Sequence, residues 1–402
     1  MEKNKELEVG IHFGISEEEY HALPYFSRSG AAAIMSDPEE FWHYSWLNPT
    51  PPEKKTSRAM ELGTAVHAAV LETAKFNEKY KSKYTKEEFS EYGYIVLDKI
   101  EDFKKFLDEM GVVYKGITKK EGFIELAKKY SDERVIIWED IKREEQADEE
   151  AERIILDKAE YDKIHSIADS VSQRNWASKF LELSTDGESE VVLIFDEQVG
   201  DEVVRCKAKM DRICLGEMDE NTKEEEIAIV DLKTFHQKHS SVDESIRRAI
   251  LYSGYYAQYY VYCRALYFAR LAISKNKGKI VFHNDVLMTN NFLERLKKPE
   301  LDYRFYFIFV KTEAPFQCRL VECRQKVAGS GLADNAYFTE GENFWAQALN
   351  NFVSLKKKYG KERWIDPKNE VSVLTDEALG MGLSYVREGA YDAKNLDLDE
   401  EE

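Results

Sequence analysis

Hydrophobic and polar positions change their period several times along the chain, and the changes mark out its elements. From Gly10 to about Glu72 the spacing is helical. An Ala-rich run follows Ser27 and Ser29, either of which suits an N-cap, and Asp37-Pro38 ends that run and starts a second helix carrying Phe41, Trp42 and Tyr44. The Pro-rich stretch "SWLNPTPPEKKTSRA" reads as a loop. Met60 to Glu72 resumes the helical pattern, with Leu62, Ala65, Val66, Ala69 and Val70 on one side. Residues 73–180 are highly charged and mostly helical in pattern, and Asp98 to Tyr130 within them reads as a helix, a short extended link and a second helix. Between Ser184 and Asp231 the period drops to two. "SEVVLIFDEQVGDEVVRCKAKMDRICL" predicts two strands joined by a turn at Val199-Gly200-Asp201, and "EIAIVDLKTF" predicts a third. One long tyrosine-rich helix is expected over about Val242 to Leu271, strands return in "YRFYFIFVKTEAPFQCRLVEC", and a last helix runs from roughly Asn335 to Lys358. This order predicts an α/β fold: a central mixed β-sheet flanked by helices, with a helical N-terminal region and a helical insertion.

Composition narrows the class. The chain has 402 residues, 43% of them hydrophobic, which is ordinary for a globular protein with a sizeable core. No window approaches the roughly 18 apolar residues of a membrane helix, and the charged start "MEKNKELEVG" lacks the apolar segment of a signal peptide. A soluble cytoplasmic protein without membrane contact is expected. Cys206, Cys214, Cys263, Cys318 and Cys323 are odd in number and scattered, which argues for plain thiols. The net charge of −19 taken alone argues against nucleic acid. A basic groove can nevertheless sit inside an acidic shell, and a cation site needs carboxylates of its own. Residues 1–9 are expected to be a flexible terminus, residues 10–390 one domain, and residues 391–402, "YDAKNLDLDEEE" in part, an acidic disordered tail.

The stretch "IVDLKTF" carries the chemistry. It reads as a buried strand, yet Asp231 and Lys233 stand two apart and so on one face. Asp211 lies twenty residues earlier on a predicted neighbouring strand. Two carboxylates on adjacent strands can enclose one hard cation such as Mg²⁺, which takes oxygen ligands and keeps several waters. A lysine beside them can orient a water or steady negative charge building on phosphorus. The alternative is a buried ion pair of Lys233 with Asp211 or Asp231. Arg205, Lys207 and Lys209 alternate along the strand leading to Asp211, either tracking a phosphate backbone or forming the solvated side of an edge strand. Arg28 and the pair Arg247-Arg248 are further phosphate candidates. The many tyrosines between Tyr252 and Tyr262 could stack on unpaired bases or pack the core.

An Asp, about twenty residues, then Asp-x-Lys on a hydrophobic strand resembles the PD-(D/E)XK nuclease core. Glu190 stands at the entry to the first strand, where many members of that group carry an acid. Gln258 and Tyr262 are similar to the Gln-x-x-x-Tyr helix of RecB-type nucleases, and Gly63 with His67 to their Gly-x-x-x-His helix. The order of motifs from about Gly10 to Tyr359, interrupted near 80–150, resembles the nuclease domain of exodeoxyribonuclease VIII (RecE) and its phage-borne relatives. The resemblance implies a restriction-endonuclease-like core. It implies Mg²⁺ or Mn²⁺ held by His67, Asp211, Asp231 and the carbonyl of Leu232. Lys233 would position the attacking water, with Asp231, Asp211 and Glu190 as its catalytic companions. Gln258 and Tyr262 would contact the nucleotide beside the scissile phosphate. Met210 stands where the group's name has proline. The implied activity is digestion of linear double-stranded DNA from its 5′ ends, leaving 3′ overhangs for a single-strand annealing protein of the RecT type, by a homo-oligomeric ring.

Residues 98–130 resemble a helix–extended–helix module of the SAP/HeH kind, which often binds DNA, with Lys115, Lys119, Lys120, Lys128 and Lys129 available; the alternative is a structural insertion. A Cas4- or AddB-like nuclease would need a cluster cysteine ahead of Gly63, and there is none. A degenerate DNA-end binding scaffold would lack a ligand or the lysine, and His67, Asp211, Asp231 and Lys233 are all present.

Overall fold

The computed structural model describes residues 6–53, 57–181, 186–218, 225–284, 288–299, 303–324 and 336–365. Residues 1–5 of the expected flexible terminus, 366–390 of the expected domain and the acidic tail 391–402 lie outside them.

The N-terminal part runs β1 (Gly10–Phe13), α1 (Glu17–Ala22), α2 (Arg28–Ser36), α3 (Pro38–Tyr44) and α4 (Arg58–Leu71). Each helix start has its cap. Ser16 and Glu19 form a capping box on α1, Ser27 accepts from the Gly30 amide, Asp37 caps α3 ahead of Pro38, and Ser57 accepts from Met60. The charged region follows as α5 (Thr73–Lys79), β2 (Tyr80–Ser82), α6 (Lys86–Glu91), β3 (Ile95–Leu97), α7 (Ile100–Glu109), α8 (Lys120–Tyr130), β4 (Val135–Ile137), α9 (Trp138–Glu150), β5 (Ile154–Leu156), α10 (Lys158–Ser172) and α11 (Ala177–Leu181). The expected helix pair over 98–130 is therefore present as α7 and α8. It closes on a small core of its own, with Leu97, Phe103, Phe106, Leu107, Phe123 and Ile137. The parallel pairs β2–β5 and β3–β4 that tie this region together were not foreseen. Three-residue strands in charged sequence carry too few alternations to read.

The rest comprises β6 (Gly187–Val199), β7 (Glu202–Met218), β8 (Glu225–Phe235), α12 (Val242–Tyr252), α13 (Tyr255–Ser274), β9 (Lys279–Phe282), α14 (Asn290–Leu296), β10 (Tyr303–Lys311), β11 (Cys318–Cys323) and α15 (Ala336–Tyr359). The β6–β7 hairpin turns at Gly200, whose φ of +57° suits glycine, as its sequence predicted. The helix expected over Val242 to Leu271 is instead two. Gly254, at φ +67°, breaks it, and Arg28 holds the joint by donating to the carbonyls of Ser253 at 2.9 Å and Gly254 at 2.7 Å.

Seven strands form one sheet in the order β11-β10-β8-β7-β6-β1-β9. Neighbours β6, β7 and β8 are antiparallel, whereas β10 runs parallel to β8 and β9 parallel to β1, so the sheet is mixed. One face packs on α2, α13 and α15 through Ile229, Phe305, Phe307, Tyr259, Leu266, Trp345 and Phe352. The other packs on α4 and α10 through Val230, Leu232, Ile308, Ala65, Val66 and Ile167. Helices on both faces of a mixed sheet are the architecture that the periodicity predicted. The cysteines form no disulfide among the described residues, and no helix among them is long and apolar enough to cross a membrane.

Candidate active site

Three neighbouring strands supply the acids. Arg212 pairs with Val230 across β7 and β8, so the next positions along the two strands are Asp211 and Asp231. The Leu232 amide donates to Asp211 Oδ2 at 2.8 Å, which anchors that carboxylate to the neighbouring strand. On the other side Ser189 pairs with Arg212 and Val191 with Met210, which sets Glu190 opposite Asp211. The strand alternation inverts here. Val191 and Met210 pack toward α13, whereas two residues on Ser189 donates to the carbonyl of Leu71 in α4 at 3.2 Å and receives Arg212 at 3.2 Å. Glu190 absorbs the inversion at φ +57°, a left-handed conformation that costs a non-glycine residue roughly 1–3 kcal/mol. Such strain persists where the surroundings fix it, and here it turns a carboxylate toward Asp211.

Helices from both faces complete the centre. α4 presents His67, whose Nδ1 lies 3.5 Å from Asp211 Oδ2 and whose ring is hydrogen-bonded to the carbonyl of Leu232. Leu232 thus gives its amide to Asp211 and its carbonyl to His67. From α13, Gln258 Nε2 donates to Asp231 Oδ1 at 2.6 Å, and the Tyr262 hydroxyl is bonded to the same Gln258 side chain. Asp231 is fully buried and ion-paired with Lys233, whose ammonium lies 5.3 Å from the ring centre of Tyr255.

Burial dominates the electrostatics. It lowers His67 to about 4, helped by Lys233, so the imidazole is neutral and has a lone pair to give. It raises Glu190 to about 7 against the pull of Lys209. It raises Asp231 as well, with Asp211 adding to the effect and Lys233 opposing it. Lys233 stays charged because the two aspartates outweigh its desolvation. Carboxylates held this way gain from an added cation.

The donor set fits one. An atom each from His67, Glu190 and Asp211 lies within 4.8 Å of the others. Ligands of a six-coordinate ion at about 2.1 Å are roughly 3–4 Å apart, so modest closure suffices. Two carboxylates, a peptide carbonyl and one imidazole suit Mg²⁺ and Mn²⁺, the nitrogen favouring Mn²⁺. Asp231 stands just behind this trio, turned toward Gln258 and Lys233.

Of the residues singled out in the sequence, His67, Glu190, Asp211, Asp231, Leu232, Lys233, Gln258 and Tyr262 come together. The basic row does not stay together. Arg205 is paired with Asp196 and donates to the carbonyl of Leu7 at 3.0 Å. Lys207 donates to the carbonyls of Tyr20 at 2.7 Å and Leu23 at 2.8 Å, closing the end of α1. Both therefore have work inside the fold, and only Lys209 reaches the centre, paired with Glu190 and Glu17. Arg28 lies near Asp231, Tyr255 and Tyr262, and its buried Nε finds no hydrogen-bond partner among the described residues. Arg247 and Arg248 are both paired with Glu244. Sequence reasoning missed Glu17 and named Tyr255 only among the tyrosines that could stack on bases. Glu17 sits in a run of three glutamates that differ only in which way the helix turns them, and Tyr255 is one tyrosine among many.

Residues 45–276 match the model of a family described as a PDDEXK-like domain of unknown function (DUF3799). No curated protein matches the chain. Among solved structures, that of a suspected exonuclease from Eubacterium rectale covers 92% of this chain and 99% of its own, at 14% identity and a TM-score of 0.41. A protein called SSO0001 covers 67% of this chain and 95% of its own, at 12% identity and a TM-score of 0.23. At these values neither likeness bears on activity.

Proposed function

The chain belongs to the family of PDDEXK-like domains designated DUF3799, and from that premise we propose that it is a metal-dependent deoxyribonuclease. The observation that carries this reading is the meeting of Glu190, Asp211 and the Asp231–Lys233 pair from three adjacent strands with His67 from α4. In the proposed reaction a water oxygen bonds to phosphorus as the bond to the 3′ oxygen breaks, giving a 5′-phosphate and a 3′-hydroxyl. A divalent ion held by His67, Glu190, Asp211 and the Leu232 carbonyl, with Asp231 behind, would supply the positive charge that draws in the phosphate and makes the water acidic. Lys233 keeps its protons and donates hydrogen bonds, so it holds the water or a phosphoryl oxygen and does not act as the base. Glu190 would help hold the ion rather than act as the base, and the proton that the water loses would pass to solvent. Gln258 fixes the orientation of Asp231, and Tyr262 fixes Gln258. Arg28 and Lys209 supply positive charge for the phosphate, while Arg205 and Lys207 serve the fold.

The order of motifs, similar to that of exodeoxyribonuclease VIII, supports the finer reading. The substrate would be linear duplex DNA, degraded 5′ to 3′, with the 3′ overhang passed to an annealing protein of the RecT type. The working form would be a homo-oligomeric ring. Asp231→Asn tests the core of the proposal. It keeps the shape and the Gln258 contact but removes the charge, and duplex digestion should fall at least about a hundredfold with the fold unchanged. Undiminished digestion would remove this site from the reaction.

A further inference from the structure

The proposed reaction gives Lys209 only a general attraction for phosphate, yet its surroundings are more specific than that. Its side chain is 14% exposed, and its ammonium sits between two carboxylates, Glu190 from β6 and Glu17 from the start of α1. Glu190 is also one of three residues, with His67 and Asp211, whose ligand atoms converge. The ammonium is therefore paired with a carboxylate that also belongs to the ion site.

The arrangement is built into the fold. α1 lies over β7 and is fastened to it at its C-terminal end. Lys207, two residues before Lys209, holds its C-terminal carbonyls, and the Ser16–Glu19 capping box fixes its start. Glu17 is further held by His21 Nε2 at 2.7 Å. Its place beside Lys209 follows from where α1 is anchored.

In nuclease sites with two ions, the ions lie about 3.5–4 Å apart and share a carboxylate, so a second cation would stand on the outer side of that carboxylate. Here Glu190 already has a cation against it, the Lys209 ammonium. We propose that Lys209 takes the place of a second divalent ion, so that the protein binds a single one; this rests on the metal-dependent reading above. The ammonium offsets part of the charge of Glu190 and Glu17 and needs no free ion in solution. It carries one charge rather than two and has no vacant coordination position, so it cannot bind a phosphate oxygen as tightly as a metal would.

Replacing Lys209 by an uncharged residue leaves Glu17 and Glu190 facing one gap, with two carboxylates for a second ion. The test counts Mn²⁺ bound to the full chain after chelator treatment, without DNA, by calorimetry and by the loss of the free-ion paramagnetic signal. Wild type is expected to bind one Mn²⁺ per chain. Lys209→Met, with Lys209→Gln as a second neutral variant should the first not fold, is expected to bind two. Lys209→Arg, which keeps the charge, should bind one. Two ions on the wild-type chain overturn the inference, and so does a neutral variant that folds and still binds one. A wild-type chain that binds none overturns the metal-dependent reading itself, which separates the two failures.

Discussion

Exchanging Glu190 for glutamine should remove a pH-dependent weakness from the ion-free protein. Burial pushes this carboxyl from 4.5 to about 7, with Asp211 adding to the effect and Lys209 opposing it. Between those values the folded chain keeps a proton that the unfolded chain has lost. Stability therefore falls as pH rises through that window and levels off above it. At ~1.4 kcal/mol per pH unit the loss is at most about 3.5 kcal/mol. With 25% of the side chain exposed, solvent screening brings this to roughly 2 kcal/mol. Glutamine has nearly the same shape and nothing to titrate. Chemical denaturation in chelator, from about pH 5 to about pH 8.5, should show wild type losing about 2 kcal/mol more than Glu190→Gln. Wild type should recover stability on adding Mn²⁺, by about 2.7 kcal/mol at a hundredfold excess over Kd. Parallel pH profiles for the two proteins would refute the reasoning, because Glu190 would then be no more proton-hungry folded than unfolded.

A Cβ at Gly63 would meet nothing within 4 Å among the described residues, so none of them requires a glycine one turn before His67. Gly63→Ala should raise stability by about 0.5–1 kcal/mol. If DNA passes along this face of α4, single-turnover cleavage should drop about tenfold, whereas unchanged cleavage would make the glycine incidental. Tyr262→Phe removes a hydroxyl bonded to Gln258, which at about 1 kcal/mol means roughly a fivefold lower kcat, with Mn²⁺ affinity unchanged. Lys115→Glu combined with Lys119→Glu should weaken DNA binding and flatten its salt dependence by a slope of up to about two if the 98–130 insertion grips the backbone. An unchanged slope in a filter-binding titration would leave that insertion a structural role.

The parts of this protein that could be read in advance are those where a local rule meets a long element. Strands of 13, 17 and 11 residues show their alternation plainly, and Asp231 and Lys233 stand out because charge interrupts an apolar run. The caps at Ser27 and Asp37 work the same way, since a side chain there bonds to its own next turn. What escaped depends on distant packing. Gly254 looks tolerable inside a helical pattern, yet it turns to φ +67° and its carbonyl is held by Arg28, far away in the sequence. Arg205, Lys207 and Lys209 look equivalent by alternation, yet α1 lies over that strand and takes up Lys207, while Asp196 on β6 takes up Arg205. The inversion at Glu190 leaves no trace in composition at all. It appears only when Val191 and Ser189 are seen to serve opposite faces of one sheet.

The central claim is that imidazole, carboxylates and one ammonium converge on a divalent ion that cuts DNA. It is tested most directly on end-labelled linear duplex beside a covalently closed circle of the same sequence, with Mn²⁺ and then with chelator. The account requires loss of label from the linear DNA with Mn²⁺, an intact circle, and no reaction in chelator or with Lys233→Met. Digestion that persists in chelator, or that proceeds equally well without Lys233, would contradict it.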